Sequence, residues 1–272
     1  MPEDAVYIGW DVGGWEGSRD ALAAVVWGGH GAIELAGAPA RVCLRDVLVS
    51  WRCSVDDLLA QCGAKCSWSR AVIGIDAPLG WPDEFARHVA TPLSRAPTYW
   101  PREPGEIGNR LAYRCCDRVV HERCGKKPMS AVFDRLGNNA TKALTACRML
   151  AAAHKALVSP QQGLTGRVIL IEAYPALWKQ GAAKAGKPVD AAAAALSECA
   201  MPAAGSDELD ALLAALSAAC YDNQVRELGL GLPALHMPDD VQPDGAGKVI
   251  PRETICREGW IYFPRSALTD RQ

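Results

Sequence analysis

Long apolar runs are missing from this 272-residue chain: no stretch approaches the roughly 18 consecutive apolar residues that a membrane-spanning helix requires. The N-terminus, Met-Pro-Glu-Asp-Ala, carries acids where a secretory leader needs basic residues ahead of an apolar segment, so the expectation is a soluble, cytoplasmic protein. Cys-x-x-Cys pairs are absent although the chain has eleven cysteines. Cys62-x-x-x-Cys66 and the trio Cys116, His121 and Cys124 are the residue types that hold zinc. No second half-site has matching spacing, so a structural zinc is weakly motivated and reduced core thiols are the expected use. Fixed-period repeats, low-complexity tracts, a clean domain boundary and any recognised nucleic-acid-binding module are also lacking. With 49% hydrophobic and 22% charged residues, disorder, collagen and coiled coil are excluded for the chain as a whole.

What the chain has is an uneven charge distribution. Its net charge is -2, yet residues 87–155 hold thirteen Lys/Arg against five Asp/Glu, a local balance of +8. A segment this lopsided either binds something anionic or presents a solvated helical face.

Periodicity places the elements. Ala5–Val12, Ala21–Trp27 and Ala32–Cys43 read as three strands with short connections, which favours an antiparallel meander. Gly28–Gly31 marks the turn between the second and third. Ser54 caps a short helix, with Asp57 at the capping-box position. Ala71–Ile75 is an unbroken apolar run, the pattern of a strand buried on both faces in parallel pairing. Pro82, Asp83 and Glu84 start a helix. Residues 91–108 read as a long loop, Asn109–Arg123 as a helix, and Asn139–Leu157 as a longer helix capped near Asn138 or Asn139. Val168–Ile171 is a second buried strand. Residues 179–205 contain an alanine-rich helix, Ser206 caps a helix over Asp207–Asp222, and Gly259–Pro264 forms a last short strand. The Pro/Gly-rich stretch 229–251 is a lid or a partner arm. Together these predict an α/β chain forming one domain over 1–272: a mixed five-stranded sheet, a three-strand antiparallel meander followed by parallel strands. Helices cover both faces, and a basic helical insertion occupies about 82–157.

Three acids follow apolar strands: Asp11, Asp76 and Glu172. Neighbouring strands would bring them to one sheet edge, where sites form in open α/β sheets. Asp207 and Asp210, three apart, share a face of a late helix whose Leu209, Leu212, Leu213 and Leu216 form the buried stripe; Ala211, Ala214 and Ala215 allow close approach to a sheet. Packed carboxylates repel unless a cation lies between them, and hard oxygen ligands suit Mg²⁺ or Mn²⁺. Each acid also has a structural reading as a turn former, a strand-end charge or a helix-dipole partner.

These pieces, in order, resemble the ribonuclease H fold, and most closely the family of unknown function 429, described as predicted nucleases. The matching segments are Gly9-Trp-Asp11, Ile73-Gly-Ile-Asp76-Ala-Pro-Leu-Gly80, Arg114-Cys-Cys-Asp117-Arg118, Ile171-Glu172-Ala-Tyr-Pro175, Asp207-Glu-Leu-Asp210 and Gly259-Trp-Ile-Tyr-Phe-Pro264. The resemblance implies a divalent-metal nuclease acting by a two-metal mechanism. Asp11 and Asp76 would be the first- and fourth-strand acids, and Asp207 and Asp210 the helix pair. Glu172 would be a further acid near a metal-bound water. Nucleic acid is then the expected partner, with Arg110, Arg114 and Arg118 on one helical face as phosphate contacts and Asp117 orienting an arginine. Tyr99, Trp100 and Tyr113 are available for base stacking, although core packing is the commoner use. Two alternatives stand beside this. One is a non-catalytic nucleic-acid-binding protein on the same fold. The other is an actin- or sugar-kinase-like phosphotransferase suggested by Asp11-Val-Gly-Gly14, against which the second phosphate-binding turn is missing at Asp76-Ala-Pro-Leu.

Overall fold

The computed structural model describes residues 4–15, 19–28, 32–97, 99, 106–134, 136–180, 187–196, 201–238 and 249–269. Its strands are β1 (Ala5–Asp11), β2 (Asp20–Trp27), β3 (Ile33–Val42), β4 (Arg70–Asp76), β5 (Leu157–Val158), β6 (Val168–Ala173), β7 (Leu235–His236) and β8 (Ile261–Pro264). Its helices are α1 (Arg45–Val49), α2 (Val55–Gln61), α3 (Asp83–Ala90), α4 (Cys115–Cys124), α5 (Leu136–His154), α6 (Pro175–Trp178), α7 (Pro188–Ala195), α8 (Asp207–Val225) and α9 (Arg252–Glu258). The turn at Gly29–Gly31, Trp100 and part of the 229–251 stretch fall outside the described residues.

The described strands form one mixed sheet of eight, ordered β3-β2-β1-β4-β6-β8-β7, with β5 also paired to β6. β1, β2 and β3 are the antiparallel meander; β4, β6 and β8 continue from β1 in parallel, and β7 closes the row antiparallel to β8. The five strands expected from the sequence are β1–β4 and β6. The sheet extends past them because the outer edge of β6 is shared by β5 along its first half and β8 along its second. β5 and β7 have two residues each, too few for an apolar period to show. Both faces are covered. Tyr7, Val72 and Ile171 pack with α4, α6 and α8 on one side. Ile8, Trp10 and Ile73 pack with α1, α2 and α5 on the other. No helix among the described residues is long and apolar enough to cross a membrane.

Local chemistry sets the helix starts. Ser54 and Asp57 form the reciprocal capping box of α2, and Ser206 Oγ accepts the Leu209 N–H at 3.1 Å to start α8. Two expectations are corrected. The helix anticipated over Asn109–Arg123 begins only at Cys115, because Asp117 folds back to accept the Arg114 N–H at 2.8 Å and holds Arg114 in extended backbone at the cap. Arg110 lies in the preceding turn, so Arg110, Arg114 and Arg118 do not share a helical face. Asn138 and Asn139 fall inside the first turn of α5 rather than at its cap, and α5 ends at His154, which releases Leu157 into β5.

Candidate active site

Two glycines bring the site together. Gly9 of β1 and Gly74 of β4 are register partners, and both face α8. A Cβ on Gly9 would stand 1.8 Å from the Ala211 carbonyl oxygen, and one on Gly74 would stand 2.2 Å from that of Ala214. The helix backbone therefore rests directly on the sheet. Two residues further along the same strands, Asp11 and Asp76 are register partners in turn. Adjacent strands run about 4.8 Å apart and alternate residues share a face, so the two carboxylates stand side by side beneath the first turn of α8. That turn carries Asp207 and Asp210.

Burial and crowding show in the proton affinities. Burial, and then the charges of Asp210, Asp207 and Asp20, push the Asp11 carboxyl up to about 7. Burial and the neighbouring Asp11, Asp210 and Glu172 hold Asp76 well above the ordinary carboxylate range. One cation opposes this: the Lys179 ammonium pulls both groups down and forms an ion pair with Asp210. Lys179 is aimed by its neighbour. Trp178, at the end of α6, is buried and donates its indole N–H to Ser217 Oγ at 2.8 Å, which docks α6 against α8 two turns beyond Asp210.

A second polar cluster forms the wall. Glu172, at the end of β6, takes both terminal nitrogens of Arg114 at 2.6 Å and the Leu79 N–H at 2.8 Å. Arg114 also grips Asp117 through Nε at 3.1 Å and Nη2 at 2.9 Å. All three side chains are buried. Burial pushes the Glu172 carboxyl up, against the pull of Arg114. Between the acid pair and this cluster lies a cavity of about 190 Å³, lined among others by Asp11, Asp76, Arg114, Asn139, Glu172 and Tyr174.

The model of the family described as protein of unknown function (DUF429) matches residues 9–228, the greater part of the chain. The chain belongs to this family. No curated protein and no solved structure matched it. The matched span of this DUF429 chain begins at the first glycine under α8 and takes in every acid of the site.

Of the residues anticipated from the sequence, Asp11, Asp76, Glu172, Arg114 and Asp117 line the cavity. Asp210 is held over the acid pair by Lys179. Asp207 sits at the rim, 3.2 Å from Arg41, which also meets Glu208 at 3.3 Å. Arg110 and Arg118 do not line the cavity, and Arg118 donates to the Tyr113 carbonyl at 3.0 Å. Tyr113 is buried beneath the Lys127 ammonium, and the Tyr99 hydroxyl accepts the Arg110 N–H at 3.3 Å.

Four residues that shape the site in this DUF429 chain carry no local signal of that role in the sequence. Lys179 reaches Asp210 only through the docking of α6. Asn139 donates to the Val12 carbonyl at 2.5 Å and fixes the chain just after Asp11. Asp20 and Lys142 form a fully buried pair at 2.6 Å that also clamps the Gly13 N–H and the Gly14 carbonyl.

Carboxylate oxygens from two adjacent strands, with a third from the helix above, are hard donors of the kind that Mg²⁺ or Mn²⁺ accepts. Among the described residues no three His, Cys, Asp or Glu side chains already converge as a ligand cage. Asp210 is the group that would complete one, and it is turned to Lys179. The ten described cysteines are free thiols.

Proposed function

We propose that this protein hydrolyses phosphodiester bonds of nucleic acid with the help of Mg²⁺ or Mn²⁺ held by Asp11, Asp76 and Asp210. The observation that carries the reading is the cross-strand pairing of Asp11 with Asp76 under the head of α8, an excess of buried negative charge answered by one lysine. The strand order supports a ribonuclease H-like fold. A three-strand meander runs into parallel strands, with acids ending the first and fourth strands and opening the late helix.

A bound divalent ion, or a pair of them, supplies an attacking hydroxide at neutral pH and positive charge for the leaving oxygen. The chain supplies the rest. Asp11 and Asp76, fixed by the sheet, are deprotonated when positive charge enters the pocket. Lys179 leaves Asp210 free to take part. Glu172 and Asp117 hold Arg114 rigid at the cavity wall, where the one Nη1 hydrogen not used on Glu172 is left for a phosphate oxygen. Asp207 acts through its field on Asp11. The basic segment 87–155 attracts the polyanion.

The test is cleavage of labelled RNA, DNA and branched DNA in Mn²⁺ by the wild type and by Asp11→Asn. Loss of at least a hundredfold in rate is expected, and undiminished cleavage by the variant overturns the assignment. One observation favours a second reading, a binding protein without catalysis. Lys179 already answers Asp210, as a permanent internal cation would. Such a protein binds nucleic acid equally well in EDTA and shows no cleavage whichever metal is added.

A further inference from the structure

Beyond the acid pair, segments that adjoin the cavity lining carry large apolar side chains that the core does not use. Trp15 follows Asp11 by four residues, so it stands within about 14 Å of it by chain length alone. Its position is fixed at both ends: the backbone N–H donates to Asn138 Oδ1 at 3.2 Å and the indole N–H to Thr141 Oγ1 at 3.0 Å. Asn138 adjoins Asn139, which lines the cavity. The indole is thus pinned by its edge to the start of α5, while 38% of the residue stays open to solvent. Phe133 is 63% exposed. It lies in the turn between Met129 and Leu136, both of which line the cavity. The Ser130 hydroxyl holds that turn by accepting the Val132 and Phe133 N–H groups at 3.1 and 3.0 Å and donating to the Ala112 carbonyl at 2.7 Å. Met129 itself is 49% exposed. The Trp15 indole and the backbone at Phe133 are therefore held in place beside the cavity. Phe133 and Met129 belong to the segment whose charge balance is +8, Trp15 is anchored to that segment through Asn138 and Thr141, and Lys127 is exposed beside the cavity-lining Pro128.

Exposed aromatic planes set within positive charge, next to a site suited to a phosphodiester, match one chemistry: unpaired nucleobases on a charged backbone. We infer that Trp15 and Phe133 are stacking platforms that select a single-stranded segment of nucleic acid and lead its backbone over Asp11 and Asp76. The inference rests on the nucleic-acid reading of the acidic pocket. Duplex keeps its base faces stacked on each other and offers these side chains nothing comparable.

Fluorescence anisotropy with labelled 12-nucleotide single strands and the matching duplex, in Ca²⁺, tests it. Trp15→Ala and Phe133→Ala should each weaken single-strand binding about tenfold, and the double variant more, with duplex binding changed less than twofold. Trp15→Phe and Phe133→Tyr keep a ring and should keep most of the affinity, which separates stacking from loss of the α5 anchor. Unchanged single-strand binding by the double variant, as for a protein-docking face, overturns the inference. Equal loss on single strand and duplex does so too. Hydrolysis of bis(p-nitrophenyl) phosphate, which has no base to stack, reports the acidic pocket separately. Asp11-dependent hydrolysis that survives in rim variants whose oligonucleotide binding is unaltered rejects the rim alone. Stacking-dependent binding without any Asp11-dependent hydrolysis rejects the hydrolase reading alone.

Discussion

Replacing Asp11 with Asn should stabilise the protein at alkaline pH, although it removes the residue most central to the proposed chemistry. The folded state holds the Asp11 carboxyl at about 7 against 3.8 without the fold, through burial and the nearby Asp210 and Asp207. Between those values the folded chain keeps a proton that the unfolded chain has released. Stability therefore falls as pH rises through this window and levels off above about 7. The full cost is about 4 kcal/mol, an upper figure because relaxation and water entry soften it. Asn keeps the shape and has no proton to lose. In EDTA, wild type and Asp11→Asn should unfold at similar urea concentrations near pH 4. They should diverge as pH rises from about 4 to about 7 and then hold a constant gap, with the variant ahead by up to about 4 kcal/mol, or about 7 °C in Tm for a chain of this size, at pH 8.5. Excess Mn²⁺ should close the gap by stabilising only the wild type. A variant no more stable than wild type at pH 8.5, or a gap that is constant from pH 4 to 8.5, refutes the reasoning, because the acid pair would then carry no excess repulsion.

Other perturbations follow from the same contacts. Gly9→Ala places a methyl group against the backbone of Ala211 and Ala215; lifting α8 off the sheet should cost more than about 3 kcal/mol in urea denaturation and abolish Mn²⁺ binding. Lys179→Met removes the cation paired with Asp210. It should lower stability above pH 7 by about 1 kcal/mol, allowing for screening of a partly exposed group, and tighten Mn²⁺ binding by about tenfold in calorimetry. Arg114→Met strands the buried Glu172 and Asp117 carboxylates and should cost about 3–5 kcal/mol, with Arg114→Lys recovering little because one ammonium cannot span two carboxylates.

How much of this was legible in the sequence depended on whether the signal was local. β1, β4 and β6 announced themselves as apolar runs because each is buried on both faces; the acids ending β1 and β4 are register partners, while Glu172 of β6 stands opposite Ile75. α8 was readable from Ser206 and from the Leu and Ala stripes that its contact with Gly9 and Gly74 requires. Arg114 was misplaced for a physical reason: it occupies a cap position usually held by Ser, Thr, Asp or Asn, and its guanidinium is anchored in part by Glu172, 58 residues away. Lys179 could not be read at all, since its place depends on the docking of Trp178 on Ser217. In the basic segment the sequence offers Tyr99, Trp100 and Tyr113 for stacking, with core packing the commoner use. Composition cannot tell the buried Tyr113 from the exposed Phe133, because tertiary packing decides which ring is covered.

The central claim is that Asp11, Asp76 and Asp210 form a divalent-cation site. Crystals soaked in Mn²⁺ and measured at the manganese absorption edge test it directly. An anomalous peak is expected within coordination distance of both Asp11 and Asp76, with Asp210 turned from Lys179 toward it. A soaked crystal with no peak at that pair, and with Lys179 still seated on Asp210, would contradict it.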